Sequence, residues 1–232
     1  MSYKLSCPML VSTALMAQLT TASLTAHASV TPDRTRLVFN ESDKSISVTL
    51  RNNNEKLPYL AQSWLEDEKG NKITSPLAVL PPVQRIDAMM NGQVKIQALP
   101  DIHTLPSDRE SLFYYNVREI PPKSGKANTL QIALQTRIKL FWRPANIRLI
   151  PEDAAPKVKW RREGRNLIAE NPNPIHISVM DVIVDGHDVP LNMIRPFETL
   201  TLPLPANSAG GQMTWRFIND YGAVSDPIKM TL

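Results

Sequence analysis

The chain has 232 residues, of which 42% are hydrophobic and 21% are charged, and its formal net charge at pH 7 is +4. This composition can bury a core, and it excludes a disordered or fibrous protein. The chain has 20 prolines, 8 glycines and a single cysteine, Cys7, which excludes a disulfide within one chain.

The first residues have the pattern of an export signal. An apolar stretch covers residues 9–19, and a segment rich in Thr, Ser and Ala ends in the A-x-A sequence Ala26-His27-Ala28. We therefore predict a signal peptide over residues 1–28 that is cleaved after Ala28. An N-terminal membrane anchor is the alternative, but the apolar stretch is too short to span a bilayer. Cys7 would leave with the signal, so the mature chain would contain no thiol.

Apolar and polar residues alternate along the mature chain with a period of two, which is typical of half-buried strands. The clearest alternating runs are residues 46–50, 94–98 and 130–140. Turn-forming clusters, such as residues 121–125, separate the runs. About seven strands are predicted before Arg148, at the spacing of an immunoglobulin-like sandwich.

A second all-β unit is predicted after a proline-bounded joint at residues 151–156. We predict an N-terminal domain over residues 29–148 that includes the long strand, a linker over 149–156 and a C-terminal domain over 157–232. The chain is thus predicted to be an all-β protein with two sandwich domains.

The mature sequence contains no recognisable catalytic constellation. Its three histidines, His103, His176 and His187, have no other His or Cys at metal-ligand spacing. His176 lies in a strand pattern and is interpreted as a surface or packed histidine. Motifs of hydrolases, zinc proteases and phosphate-binding loops are also missing. We therefore predict no enzyme activity, no metal site and no cofactor.

Two segments differ from the rest of the chain. The basic run at residues 157–162 is interpreted as a solvated strand end, with contact to nucleic acid or membrane as the weaker alternative. Residues 128–142 are predicted to form one long strand with an apolar face. Such a strand at a sheet edge invites pairing with another chain, although composition alone favours a strand that its neighbours cover.

Residues 105–122, LPSDRESLFYYNVREIPP, resemble the signature segment of the periplasmic pilus chaperones of the chaperone/usher pathway. The short loop between Ile120 and Asn128, which no cysteine flanks, resembles the short-loop subclass of that family. Further segments resemble the family over nearly all of the mature chain. These are residues 31–39, 57–64, 81–85, 130–144, 170–174 and 218–222.

The resemblance implies two immunoglobulin-like β-sandwich domains that are set at an angle with a cleft between them. It implies that Arg36 and Lys139 bind the C-terminal carboxylate of a pilus subunit. It also implies that Leu130, Ile132 and Leu134 belong to a donor strand that fills the groove of an incomplete subunit. Lys139 has the opposite parity to these three side chains, so we expect it to face the cleft.

The resemblance further implies an ion-pair network at the domain junction, formed by Glu110, Arg143 and Asp220. It also implies an apolar patch that faces the outer-membrane usher. The patch consists of Pro58, Leu60, Ile120 and Pro122. Without the resemblance, the charged residues would be interpreted as ordinary surface groups and the patch as packed turn residues.

The partners that the resemblance implies are pilus subunits, in one-to-one complexes, and the usher, with no nucleic acid and no stable membrane insertion. The location that it implies is the periplasm of a Gram-negative bacterium. Self-association of the free chaperone is left open. The first alternative is an immunoglobulin-like structural or adhesive pilus component, for which residues 29–33 are too short a donor arm. The second alternative is an exported hydrolase, which the missing catalytic residues disfavour.

Overall fold

The computed structural model describes residues 28–125, 130–206, 208 and 211–232. Residues 1–27 of the predicted signal peptide lie outside the described residues, and so does the predicted start of the long strand at Asn128. Strands account for 51% of the structure and helices for 6%, so the prediction of an all-β protein is confirmed.

The N-terminal sandwich consists of two sheets. Its strands are β1 (Val30–Pro32), β2 (Arg36–Asn40), β3 (Ser45–Asn52), β4 (Tyr59–Glu66), β5 (Lys72–Ile73), β6 (Leu77–Leu80), β7 (Val83–Ile86), β8 (Asn91–Ala98), β9 (Ser111–Ile120) and β10 (Gln135–Arg143). One sheet has the order β1-β3-β8-β6, and the other has the order β2-β10-β9-β4-β5 with β7 also paired to β4. The sequence indicated about seven strands before Arg148, whereas the described residues form ten. One of the additional strands arises because β1 and β2 divide one short segment between the two sheets.

The predicted alternation places apolar side chains between the two sheets. β3 and β8 pair antiparallel, and their inward-facing side chains are fully buried. These side chains are Val48, Leu50, Val94 and Ile96. Phe39 of β2 meets Trp142 of β10 edge-on, with ring centroids 5.1 Å apart. Each buried side chain of this size contributes roughly 1.5–3 kcal/mol, which lets the domain hold together by packing.

The predicted long strand over residues 128–142 is wrong in its first part. β10 begins at Gln135, and residues 130–134 belong to no strand. The antiparallel register of β10 and β9, if continued, would place Ile132 opposite Pro121. Proline has no N–H to donate to a ladder, so regular pairing ends before that point.

The C-terminal domain also consists of two sheets. Its strands are β11 (Lys159–Glu163), β12 (Asn166–Glu170), β13 (Ile177–Val184), β14 (His187–Asp188), β15 (Met193–Ile194), β16 (Thr199–Pro203), β17 (Gln212–Ile218) and β18 (Ile228–Thr231). The sheet orders are β11-β12-β16 and β14-β13-β17-β18, with β15 also paired to β13. Trp160 and Trp215 pack together in the core, with ring centroids 5.2 Å apart.

The segment that joins the domains is packed against the second core. A single helical turn, α1 (Pro151–Ala154), runs into a 3-10 turn over Ala155–Lys157. Ala154 and Ala155 are fully buried among the apolar side chains of the C-terminal domain. Among the described residues, no helix has both the length and the apolar character needed to cross a bilayer.

Candidate functional site

Arg36 and Lys139 lie side by side where the two domains meet. β2 and β10 pair in parallel, with Arg36 opposite Lys139. The Arg36 side chain donates from Nη1 to the Ile218 carbonyl oxygen at 3.2 Å. Lys139 Nζ donates to Ser178 Oγ at 3.4 Å and to the Asn192 carbonyl oxygen at 3.5 Å. All three acceptors belong to the C-terminal domain, so both cations lie at the base of the cleft.

Neither of these cations forms an ion pair with a carboxylate in the part of the chain that the structure describes. Arg36 is 8% exposed, and its Nε is buried without a hydrogen-bond partner. Burial lowers the pKa of Arg36, and the charge of Asp220 opposes that effect. Burial, and then the neighbouring Arg36, lower the pKa of Lys139 to about 8. An anion bound between the two groups would relieve both the burial cost and the repulsion.

On the side away from β9, the part of β10 that precedes Lys139 has no neighbouring strand among the described residues. β2 begins only at Arg36, because the preceding residues cross over from β1 in the other sheet. Residues 135–138 therefore pair with β9 alone. In the adjoining residues 130–134, the one backbone hydrogen bond that the structure records runs from the Glu119 N–H to the Leu134 carbonyl oxygen, at 3.0 Å. Unpaired backbone groups along a sheet edge can bind a further strand.

The predicted groove-filling side chains lie along this open edge. Leu130 is 84% exposed and Ile132 is 63% exposed, whereas Leu134 is half-buried. Their parity is that of Ile138, which is buried in the N-terminal core, and it is opposite to that of Lys139. That these apolar side chains fill the groove of a client while Lys139 faces the cleft stays a prediction.

Glu110, Arg143 and Asp220 form one network across the domain junction. Arg143 Nε donates to Glu110 Oε1 at 2.7 Å, and both terminal guanidinium nitrogens donate to Asp220, at 2.8 and 3.0 Å. Glu110 is 4% exposed and Arg143 is 7% exposed. Burial acts to lower the pKa of Arg143, but the bond with Asp220 and the charge of Glu110 outweigh it, so the pKa is raised. Because Asp220 belongs to the C-terminal domain, this network joins the two domains.

His176 is a further member of the junction that the sequence did not indicate. Its Nδ1 lies 3.1 Å from Glu110 Oε2, and its backbone N–H donates to the same oxygen at 2.8 Å. Its ring packs against Phe141 with centroids 5.2 Å apart. The sequence interpretation left open a surface or a packed histidine, and the structure has His176 4% exposed. No sequence signal connected it to Glu110, which lies far away along the chain.

Two more contacts between the domains were not visible in the sequence. Arg195 Nε donates to Glu68 Oε2 at 3.0 Å, with both side chains partly exposed. Gly222 has a φ of +90°, and a Cβ at this position would collide with Thr35 Oγ1. The turn after Asp220 can therefore approach the N-terminal domain closely only with glycine at this position.

The four residues of the predicted apolar patch line one shallow pocket on the N-terminal domain. They are Pro58, Leu60, Ile120 and Pro122. Leu60 is opposite Ile120 in the pairing of β4 and β9, and Leu60 is 41% exposed. Arg85 and Lys123 also line the pocket. The patch is thus apolar and is bordered by positive charge.

The described residues contain no group of three His, Cys, Asp or Glu side chains that could hold a metal ion. The other two histidines of the described residues are exposed: His103 in the N-terminal domain and His187 in the C-terminal domain. The features that the structure does bring together are an open strand edge, one buried and one half-buried cation, and a domain junction. These features suit the binding of another polypeptide.

Comparisons with known proteins agree with this geometry. Residues 29–148 match the N-terminal domain family described as "Pili and flagellar-assembly chaperone, PapD N-terminal domain". Residues 153–229 match the family "Pili assembly chaperone PapD, C-terminal domain". Together the two matches cover most of the chain.

Individual relatives point the same way. The chain is 58% identical over 212 residues to the probable fimbrial chaperone YfcS of Escherichia coli K12, with coverage of 88% of this chain and 84% of the relative. It is 42% identical over 204 residues to the chaperone protein PapD of Escherichia coli, covering 85% and 84%. Among solved structures, the SafB chaperone of Salmonella enterica in complex with the SafA pilin superposes with a TM-score of 0.80 at 28% identity, covering 90% of this chain and 98% of the other.

Proposed function

This chain belongs to the family of PapD-type pilus-assembly chaperones, and from that premise we propose that it binds pilus subunits by lending them the open edge of β10. The chain is a fimbrial-assembly chaperone with two immunoglobulin-like domains. The family is not an enzyme class, and its fimbrial chaperones are periplasmic.

The observation that carries the proposal is the position of the open edge directly beside a buried cation, Arg36, and a half-buried one, Lys139, neither of which has a carboxylate partner among the described residues. An incomplete subunit exposes a groove where its last strand is missing. A chaperone strand in that groove gains main-chain hydrogen bonds, and alternate side chains enter pockets of the client. The edge formed by residues 130–138 offers both features.

Groove filling supplies the affinity. Leu130, Ile132 and Leu134 have the right alternation, and full burial of each contributes roughly 1.5–3 kcal/mol before the cost of ordering. Residues 130–134 are not held in a regular strand by the chaperone itself, so a client can complete their pairing. The modest energy per side chain leaves room for a better-fitting strand from the next subunit to replace the chaperone.

Arg36 and Lys139 supply the register. A slip of one residue would turn every apolar side chain away from the groove, so a fixed point is needed. A client chain that runs along the open edge toward β2 would end beside these two cations. Its terminal carboxylate can accept bonds from a guanidinium and an ammonium together, and it would supply the anion that the site lacks.

The network of Glu110, Arg143 and Asp220 sets the angle between the domains. Arg143 holds a carboxylate from each domain, so the cleft has a defined width at the level of the carboxylate site. His176 adds a second link from the C-terminal domain to Glu110. We propose that this junction keeps Arg36 and Lys139 in place for the client.

The apolar patch of Pro58, Leu60, Ile120 and Pro122 is proposed to face the outer-membrane usher during subunit delivery. The clients are proposed to be pilus subunits bound one-to-one, as the SafB–SafA complex suggests by analogy. The patch lies beside the loop that follows β9, next to the donor segment, where an usher could contact the chaperone while a client is bound.

Export to the periplasm of a Gram-negative bacterium is proposed to proceed through a signal peptide that is cleaved after Ala28. Two observations support this proposal. The A-x-A pattern ends at Ala28, and the match to the N-terminal domain family begins at residue 29. The protein is proposed to catalyse no covalent chemistry, because its family is one of chaperones and its cleft holds cations rather than a nucleophile and a base.

Co-expression with pilus subunits from the same organism tests the proposed function. The wild-type chaperone should yield soluble one-to-one complexes, and Lys139→Ala or Ile132→Asp should abolish them. Ala133→Asp is a matched control, because Ala133 is also exposed but has the opposite parity and would not enter the groove. If both disruptive variants still rescue the subunit fully, the donor-strand mechanism is wrong.

A further inference from the structure

Glu119 is a buried carboxylate that the proposed client-binding mechanism does not use. It is 4% exposed, and its Oε2 accepts the backbone N–H of Val30 at 2.8 Å. Within the described ranges it forms no ion pair with a lysine, arginine or histidine. A carboxylate offers about four acceptor positions, and among the described residues one of them is used, by the Val30 N–H. A buried carboxylate without a cation costs free energy, which points to a positively charged partner.

The chain's own new N-terminus is such a partner. Val30 is the second residue after the proposed cleavage site. Hydrolysis of the Ala28–Ser29 peptide bond by a signal peptidase adds water across the C–N bond. It leaves a carboxylate on Ala28 and an amine on Ser29, and that amine takes up a proton because α-amino groups have a pKa of about 7.7–8.0.

We propose that Glu119 binds the α-ammonium group of Ser29, so that processing of the precursor supplies the missing counter-charge. The inference rests on the export step of the proposed function. Ser29 is held close to Glu119, because the N–H of the next residue, Val30, donates to the Glu119 carboxylate. The Ser29 carbonyl oxygen is itself fixed, since it accepts the Asn53 N–H at 2.7 Å. An uncleaved chain has only an uncharged amide at this position, so it lacks the ion pair.

The ion pair would act on the donor segment as well. The backbone N–H of Glu119 donates to the carbonyl oxygen of Leu134 at 3.0 Å, and Leu134 is the residue directly before β10. Glu119 therefore contacts both the start of the mature chain, at Val30, and the last residue of the groove-filling segment, Leu134. Processing would stabilise the fold and this end of the segment together, and the precursor would remain less stable until export.

A double-mutant cycle on stability tests the proposal. One chain begins at Ser29, and the other retains residues 26–28 before it, so that its ammonium group lies three residues away. In urea unfolding at pH 6.5, the extension should raise the unfolding equilibrium constant about tenfold or more, as expected for a hydrogen bond between charged groups. In the Glu119→Gln background the extension should have no further effect.

Glu41→Gln is the matched control. Glu41 Oε2 also accepts a backbone N–H, that of Ala145 at 2.9 Å, but it lies far from Ser29 in the fold. In this background the extension should keep its full effect. The paired amine has a raised pKa in the folded state, so its stabilisation is complete below about pH 7.7 and is lost as the pH rises through the folded value.

Three results would overturn the inference. They are additive effects of Glu119→Gln and the extension, an extension effect that persists unchanged to pH 10, and an exported protein whose sequenced N-terminus is not Ser29. Client binding does not enter this measurement. The stability cycle can therefore fail while the carboxylate site stands, and the carboxylate site can fail while the cycle succeeds.

Discussion

Arg36 and Lys139 face each other across the parallel pairing of β2 and β10, and both are cations that the described part of the protein leaves without a carboxylate partner. β2 begins at Arg36, so the same residue that carries one of the charges also marks the point where the edge of β10 becomes free. The crossover of the chain from β1 to β2 therefore does two things: it leaves the edge of β10 free before Lys139, and it places Arg36 beside Lys139.

The terminal carboxylate of the client should fix the register and add to the affinity that groove filling supplies. We expect Lys139→Ala to raise the Kd for a peptide of the subunit's last strand by about 30-fold or more, because one member of a buried charged contact is removed. The same peptide with a C-terminal amide should bind the wild-type chaperone equally weakly. Isothermal titration with both peptides gives the comparison, and an amidated peptide that binds as well as the acid would contradict the assignment of this site.

Client affinity should depend on pH through Lys139. Its pKa in the free chaperone is about 8, against 10.5 for an ordinary lysine, and a bound carboxylate would raise it again. Binding then takes up a proton above about pH 8, so affinity should be level below that pH and fall by up to about tenfold per pH unit above it. The free energy of unfolding of the free chaperone should instead rise between about pH 8 and 10. In that range Lys139 has lost its proton in the folded protein but keeps it in the unfolded chain.

Lys139→Arg is the control for this pH dependence. Arginine keeps its charge throughout the range, so the variant should bind with an affinity that does not change between pH 7 and pH 10. A decline in affinity with the same pH profile in both proteins would assign the titration to another group.

The domain junction should be worth far more than an exposed ion pair. Arg143→Ala leaves Glu110 buried without its main cation, and we expect a loss of about 3–5 kcal/mol in the free energy of unfolding. Arg161→Ala removes an exposed pair with Glu163 in the C-terminal domain, and it should cost less than about 1 kcal/mol. Urea unfolding of both variants measures the difference. Equal losses would show that the junction does not stabilise the domain arrangement.

Much of the fold followed from the alternation of apolar residues, because half-buried strands impose it. Residues 46–50 and 94–98 were predicted as strands, and they lie in β3 and β8, with Val48, Leu50, Val94 and Ile96 buried and Ile46 and Ala98 partly buried. The start of β10 was placed too early because the alternation continues into residues 130–134. The pairing with β9 ends because Pro121 and Pro122, which would lie opposite, have no N–H group to donate. The alternation within residues 130–134 contains no information about those partners.

The site was predictable only as far as the family resemblance reached. Arg36, Lys139, Glu110, Arg143 and Asp220 are scattered along the sequence, and the structure places them in two adjacent groups. His176 and the contact of Arg195 with Glu68 were missed, since each depends on how the two domains meet. A local pattern reports the face of a strand, but it does not report which residue of another domain lies against that face.

Amide hydrogen exchange along residues 130–138 tests the central claim most directly. In the free chaperone, the amides of residues 130–138 that point away from β9 should exchange quickly, because no strand of the chaperone pairs with them. In a one-to-one complex with a pilus subunit the same amides should become strongly protected, because the client strand accepts their hydrogen bonds. A complex that forms while these amides exchange as fast as before would show that the client binds elsewhere, and the account of the open edge would be wrong.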